Sequence, residues 1–116
     1  MNDLLNQWLA ARATAPGMLA CGVRLPDRAC LCHSFSETCP RENLEKILHQ
    51  LAYTQSSLAN DGFAPRWSTW TFERGLVRLV LRPDGVLLGL VVQSGAEAAP
   101  NPDPLSEEFL ALNLAG

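Results

Sequence analysis

Residues 76–93 constrain this chain more than any other stretch. They read Leu-Val-Arg-Leu-Val-Leu-Arg, then Pro83-Asp84-Gly85, then Val-Leu-Leu-Gly-Leu-Val-Val-Gln. Two apolar runs rich in β-branched residues, joined by a tight-turn tripeptide, predict a β-hairpin. Pro83 presets φ for the first central position of a type I turn, and Asp84 suits the second. Gly85 tolerates the left-handed residue of a G1 bulge. In the second strand Val86, Leu88, Leu90 and Val92 alternate with Leu87, Gly89 and Val91, so both faces are apolar. A strand of that kind must be covered above and below, which puts it in the middle of a sheet.

The rest of the chain supplies partners for this hairpin and layers to cover it. Asp3 can cap a helix running to about Arg12, with Leu4, Leu5, Trp8 and Leu9 on one face, and Ala15-Pro16-Gly17 ends it. Residues 18–25 and 29–35 form a second hairpin around Pro26-Asp27-Arg28, a near copy of the later turn. After a polar loop at 34–39, Pro40 opens the longest helix, to about Asn60. Its apolar stripe is Leu44, Ile47, Leu48, Leu51 and Leu58, while His49, Ala52, Ser56 and Ala59 run along one flank. Asp61-Gly62 stops it. Residues 66–73 alternate Trp70 and Phe72 against Thr69 and Thr71, with Trp67 on the second face, and read as a less buried strand. Residues 94–104 read as a linker in which Pro100, Pro102 and Pro104 exclude regular structure. Residues 105–114 form a short helix with Leu105, Phe109 and Leu112 on one side. The expected order is α-β-β-α-β-β-β-α: an α+β fold with five largely antiparallel strands and helices on both faces. The core domain is 1–93, followed by the linker at 94–104 and a terminal helical segment, 105–116, that docks weakly.

Composition narrows the class. A chain of 116 residues with 47% hydrophobic and 18% charged residues is an ordinary folded domain. Its net charge of −3 argues against nucleic-acid binding by counterion release. No apolar run approaches the ~20 residues of a membrane span, and no basic stretch followed by a hydrophobic core opens the chain. A cytoplasmic location is expected, with the four cysteines as thiols.

No motif announces a reaction, and no cofactor is expected. Cys30-Leu31-Cys32-His33 superficially resembles a metal cluster, but alternation on a strand sends the two cysteines one way and His33 the other. Pro26 disfavours a two-residue type I′ turn, which needs positive φ at that position. A three-residue turn sets Cys21 opposite His33 and Gly22 opposite Cys32, so no disulfide and no zinc is expected. His49 reads as a polar surface or interface residue. Arg66, Arg74, Arg78 and Arg82 gather around the third and fourth strands as a basic edge that an acidic partner could meet.

The element order, the Leu-Pro-Asp hairpin, the long second helix and the segment Leu-Arg-Pro-Asp-Gly-Val-Leu-Leu-Gly-Leu-Val-Val resemble the roadblock/dynein light chain domains. The resemblance covers residues 3–93. It implies a profilin-like or longin-like fold and a non-enzymatic, dimeric scaffold or regulator, in many members serving small Ras-like GTPases. The competing class is a profilin-like domain that senses a small molecule in a pocket. Dimerisation is also expected from the strand at 66–73, which has one evident partner in the chain and an unprotected outer edge beside two tryptophans. Pairing with the same strand of a second copy would satisfy that edge by two-fold symmetry. It would bring the long helices together where small residues allow close approach. The expected interface is His49, Ala52, Ser56, Ala59, Trp67, Thr69 and Trp70.

Overall fold

The computed structural model describes residues 2–15, 17–34, 39–62, 67–73, 75–93 and 101–112. The elements run α1 (Asn2–Ala13), β1 (Met18–Arg24), β2 (Cys30–His33), α2 (Arg41–Asn60), β3 (Trp67–Phe72), β4 (Gly75–Leu81), β5 (Leu87–Gln93) and α3 (Pro102–Ala111). The strands form one antiparallel sheet of order β2-β1-β5-β4-β3. The doubly apolar β5 is its middle strand, as its sequence requires. Expectations for Arg66, Arg74, the loop at 35–38 and the linker at 94–100 lie outside the described residues.

Alternation along the strands builds two cores. On one face Cys21 and Val23 of β1, Val80 of β4, and Leu88, Leu90 and Val92 of β5 meet Leu5, Trp8 and Leu9 of α1 and Phe109 of α3. On the other, Ala20, Val77, Leu79, Leu87 and Val91 meet Leu44, Leu48 and Ala52 of α2. Each fully buried aliphatic or aromatic side chain here contributes about 1.5–3 kcal/mol of transfer free energy. The first hairpin has the three-residue turn that Pro26 favours. Cys21 pairs with His33 and Gly22 with Cys32.

The C-terminal segment departs from expectation. Helix α3 begins at Pro102, so Pro102 and Pro104 stand in its first turn rather than in a linker. A proline costs nothing in hydrogen bonding there, because the first turn's N–H groups have no intrahelical acceptor. Asn101 is the N-cap, its side chain accepting from Asp103 N–H at 3.0 Å. Nor is the docking weak. Phe109 is fully buried and stacks obliquely on Trp8, with ring centroids 5.8 Å apart.

Three arginines clamp this helix. Arg78 of β4 is itself buried; it donates to Thr69 Oγ1 at 2.7 Å and Ser106 Oγ at 3.2 Å, and pairs with Asp103 at 2.8 Å. Arg82 donates to the carbonyls of Phe109, Leu110 and Leu112 at the helix C-terminus, where a cation meets the negative end of the dipole. Arg12 of α1 pairs with Glu108, which also accepts from Trp8 Nε1 at 2.7 Å. Arg78 and Arg82 are therefore internal fasteners and not part of a basic docking edge.

Phe109→Ala should cost about 3–5 kcal/mol in urea unfolding, the usual range for emptying a buried phenyl site. Truncation after Gln93 should cost at least as much, since it also leaves Arg78 buried beside a vanished carboxylate. A truncated chain within about 1 kcal/mol of the full-length protein would return α3 to the status of a loosely held tail.

Candidate functional site

Helix α2 does not cover its face of the sheet evenly. It packs on β1, β2 and β5, and the half of the face formed by β4 and β3 is left more open. There an open apolar groove of about 520 Å³ runs between α2 and the sheet. Ile47 and Leu51 of α2 form one wall, and Trp70 and Phe72 of β3 the other, with Val77 and Val91 in the floor. Phe72 is 55% exposed. Among the described residues Gln50 is the only carboxamide in the lining, and no charged side chain joins it. The groove lies beside β3, an edge strand of six residues paired on one side by β4.

The interface residues expected from sequence fall in three places. Trp70 lines the groove, and its Nε1 donates to Ser68 Oγ at 3.3 Å; Ser68 Oγ in turn donates to Gln55 Oε1 at 3.2 Å. Trp67 and Thr69 belong to the opposite sheet face: Trp67 packs against the α1–α3 core beneath the Arg78 guanidinium, and Thr69 accepts from Arg78. His49, Ala52 and Ser56 lie on the far flank of α2, in a polar cleft of about 530 Å³ shared with Arg24, Arg28 and Tyr53. The Ala59 side chain is outside the described residues. Helical spacing groups His49, Ala52 and Ser56 correctly, but it cannot say which flank faces β3. Ile47, Gln50, Leu51 and Phe72 are among the groove residues that the sequence pattern did not single out as a site. Phe72, an aromatic on the less buried strand, was the available signal.

No family model matches the sequence, and no curated protein sequence matches it. Among solved structures, the chain is similar to the crystal structure of a Roadblock/LC7 domain from Streptomyces avermitilis. The TM-score is 0.62 at 13% identity, over 90% of this chain and 87% of that one. The fold is roadblock-like. The likeness covers more of the chain than residues 3–93, which are 91 of 116, so it takes in more than the stretch that carried the sequence resemblance.

Within this roadblock-like domain the histidines and cysteines hold ordinary structural posts. Cys30 and Cys32 sit on the α2 face, while His33 points the other way, its Nε2 3.1 Å from Asn6 Oδ1 of α1. His49 accepts from Arg24 Nε at Nδ1 (3.1 Å), which leaves the proton of the neutral ring on Nε2, 3.7 Å from Cys30 Sγ. Among the described residues, no three His, Cys, Asp or Glu side chains converge to hold a metal ion. Burial pushes the Cys21 thiol up to about 12, against a smaller opposing pull from Arg12. Cys32 also rises to about 12, by burial first and then by repulsion from Cys30 and Glu45. Burial raises Cys30 and Cys39 too. None of the four is the depressed thiol that nucleophilic catalysis needs.

These shifts set a pH dependence. A thiol whose pKa is raised by folding gives stability that is fully present below its unfolded value, near 9, and lost as pH climbs from 9 towards 12. The unfolding free energy from urea titrations should therefore lose nothing to these thiols below pH 9 and then fall, by at most about 1.4 kcal/mol per pH unit for each buried thiol. Cys21→Ala should flatten part of that slope. An unchanged slope would mean that this thiol ionises in the folded protein.

Proposed function

We propose that this chain is a non-enzymatic, cytoplasmic protein-interaction module that works as a homodimer, a scaffold or regulator whose partner class is a small Ras-like GTPase. The observation that carries the reading is the uncovered apolar groove beside the free edge of β3. Isolated water-facing aromatics such as Phe72 are tolerable, but an aromatic-walled groove next to unpaired strand N–H and C=O groups is what a protein partner covers. A second copy fits both features together. Its β3 continues the sheet across a two-fold axis, and its α2 lies over the groove. The helical surface in that arrangement is the flank of Ile47, Gln50 and Leu51, with Trp70 and Phe72 from the strand, rather than the flank of His49 and Ser56. The lining argues against a small-molecule sensor in this groove, since orienting a small ligand takes several convergent polar groups. The GTPase class rests on the roadblock resemblance.

Light scattering after size-exclusion chromatography at micromolar concentration should give twice the 12.6 kDa chain mass. Trp70→Arg should yield monomer, since truncating or charging a central interface aromatic typically costs 2 kcal/mol or more of binding. His49→Ala should leave the dimer intact. A monomeric wild-type protein sinks the dimer, and dissociation by His49→Ala with an intact Trp70→Arg dimer would move the interface to the other flank of α2.

A further inference from the structure

The two hairpin turns are close copies with one difference. In the first, Leu25 N–H donates to Ala29 O at 2.8 Å and Arg28 N–H to Leu25 O at 2.9 Å; in the second, Arg82 N–H donates to Val86 O and Gly85 N–H to Arg82 O, both at 3.0 Å. Asp27 Oδ1 accepts from Ala29 N–H at 3.0 Å, as Asp84 Oδ1 accepts from Val86 N–H at 3.2 Å. The third turn residue is left-handed in each. Gly85 has φ 89° and Arg28 φ 73°, and Arg28 is the one non-glycine residue with positive φ among those described. A Cβ makes that conformation costly, so the turn asks for glycine, and the second hairpin supplies it. Residues held in this conformation cluster at binding and switch sites, where the surrounding structure maintains them.

Arg28 stands on the polar cleft with Arg24, His49 and Ser56. Among the described residues Arg12, Arg78 and Arg82 each hold a carboxylate; Arg24, Arg28 and Arg41 have none within ion-pair distance, and Arg41 donates instead to the Cys32 carbonyl. His49 Nδ1 engages only the Nε of Arg24. Among the described residues no aspartate or glutamate lines the cleft, although the chain carries 12 acidic residues against nine basic ones. A second pocket of about 230 Å³ adjoins the cleft, sharing Arg24, Ala52 and Ser56 with it, and is lined also by Gln55, which is 3% exposed and whose Nε2 has no hydrogen-bond partner among the described residues. Two guanidiniums without a carboxylate and a hydroxyl therefore share the cleft, and an unspent buried amide donor lines the pocket that adjoins it at Arg24, Ala52 and Ser56.

We propose that this cleft binds a small phosphate monoester, with its phosphate on the guanidinium groups of Arg24 and Arg28. Planar guanidiniums take phosphate oxygens in paired hydrogen bonds. A phosphate monoester is close to a dianion at neutral pH and matches two unpaired cations, whereas a carboxylate leaves one unmatched. The site is separate from the groove, so its failure and that of the dimer are read by different experiments.

The test uses the full chain and three probes at constant ionic strength: phenyl phosphate, benzoate and inorganic phosphate. Amide and arginine Nε–H resonances are followed by NMR. Phenyl phosphate should give saturable shifts at Arg24, Arg28 and Ser56 and bind at least tenfold more tightly than benzoate. Inorganic phosphate binding as tightly as phenyl phosphate would overturn the monoester assignment. Arg24→Gln and Arg28→Gly should each weaken phenyl phosphate at least tenfold. Arg28→Gly should also keep the wild-type thermal midpoint or raise it, because it relieves the left-handed strain. Absent or non-saturating shifts overturn the proposal, as does benzoate binding equally well. So does an Arg28→Gly chain that melts lower or fails to fold, which would make Arg28 a structural residue.

Discussion

Gly22 of β1 and Gly89 of β5 face each other across adjacent strands, and α2 rests on the gap they leave. A Cβ on Gly89 would lie 2.6 Å from Leu48 Cδ2; one on Gly22 would lie 3.0 Å from Leu44 Cδ2 and 2.9 Å from the Leu31 carbonyl oxygen. Leucine knobs therefore fill space where any other residue would hold the helix off the sheet. The seat is also off-centre, on β1 and β5 rather than β5 and β4. That placement leaves the β4–β3 half of the face to the apolar groove. On the other flank it turns His49 and Ser56 towards the first hairpin. Both surfaces follow from where two glycines let a helix come down.

The opposite face is closed by charge as much as by apolar burial. Arg78 of β4 and Arg82, the residue just past its end, are four positions apart and so point to the same α1–α3 side, and one run of chain reaches both ends of α3. A buried cation is costly alone, and each guanidinium is satisfied by several acceptors at once. Arg78 has Thr69, Ser106 and Asp103; Arg82 has Asp84 and three helix carbonyls. Losing α3 would strand both. This is why a helix of ten residues, too short to persist by propensity, belongs to the folded body.

Much of this was legible in the chain. The doubly apolar run around Leu88 and Leu90 announced a central strand, and the Pro-Asp turns fixed both hairpins and the pairing of Cys21 with His33. The alternation of Trp67 with Trp70 put them on different faces, as found. Three things were not legible, each for a physical reason. Asn101-Pro102 is a cap followed by a first-turn proline, but three prolines in five residues look like a breaker unless the cap is weighed first. The flank of α2 that faces β3 depends on sheet order and helix crossing, which no local pattern encodes. Arg78 looked like a surface cation because its acceptors, Ser106 and Asp103, lie 25 or more residues away in sequence.

The glycine seat fixes only the N-terminal half of α2. Leucines on a smooth patch tolerate rolling about the helix axis, and at about 100° per residue a roll of one residue would bring Ile47 or His49 onto the sheet in place of Leu48. The far half is held differently, by the chain from Trp70 Nε1 to Ser68 Oγ to Gln55 Oε1. A hydrogen bond is directional where packing is not, and inside a protein an unmade one costs about 1–3 kcal/mol. Rolling α2 would break the Gln55 bond and bury its oxygen unpaired. The polar link beneath a helix that could have been wholly apolar there is thus what sets its azimuth. It also ties the ring of Trp70, on the groove, to Gln55, which lines the pocket adjoining the cleft.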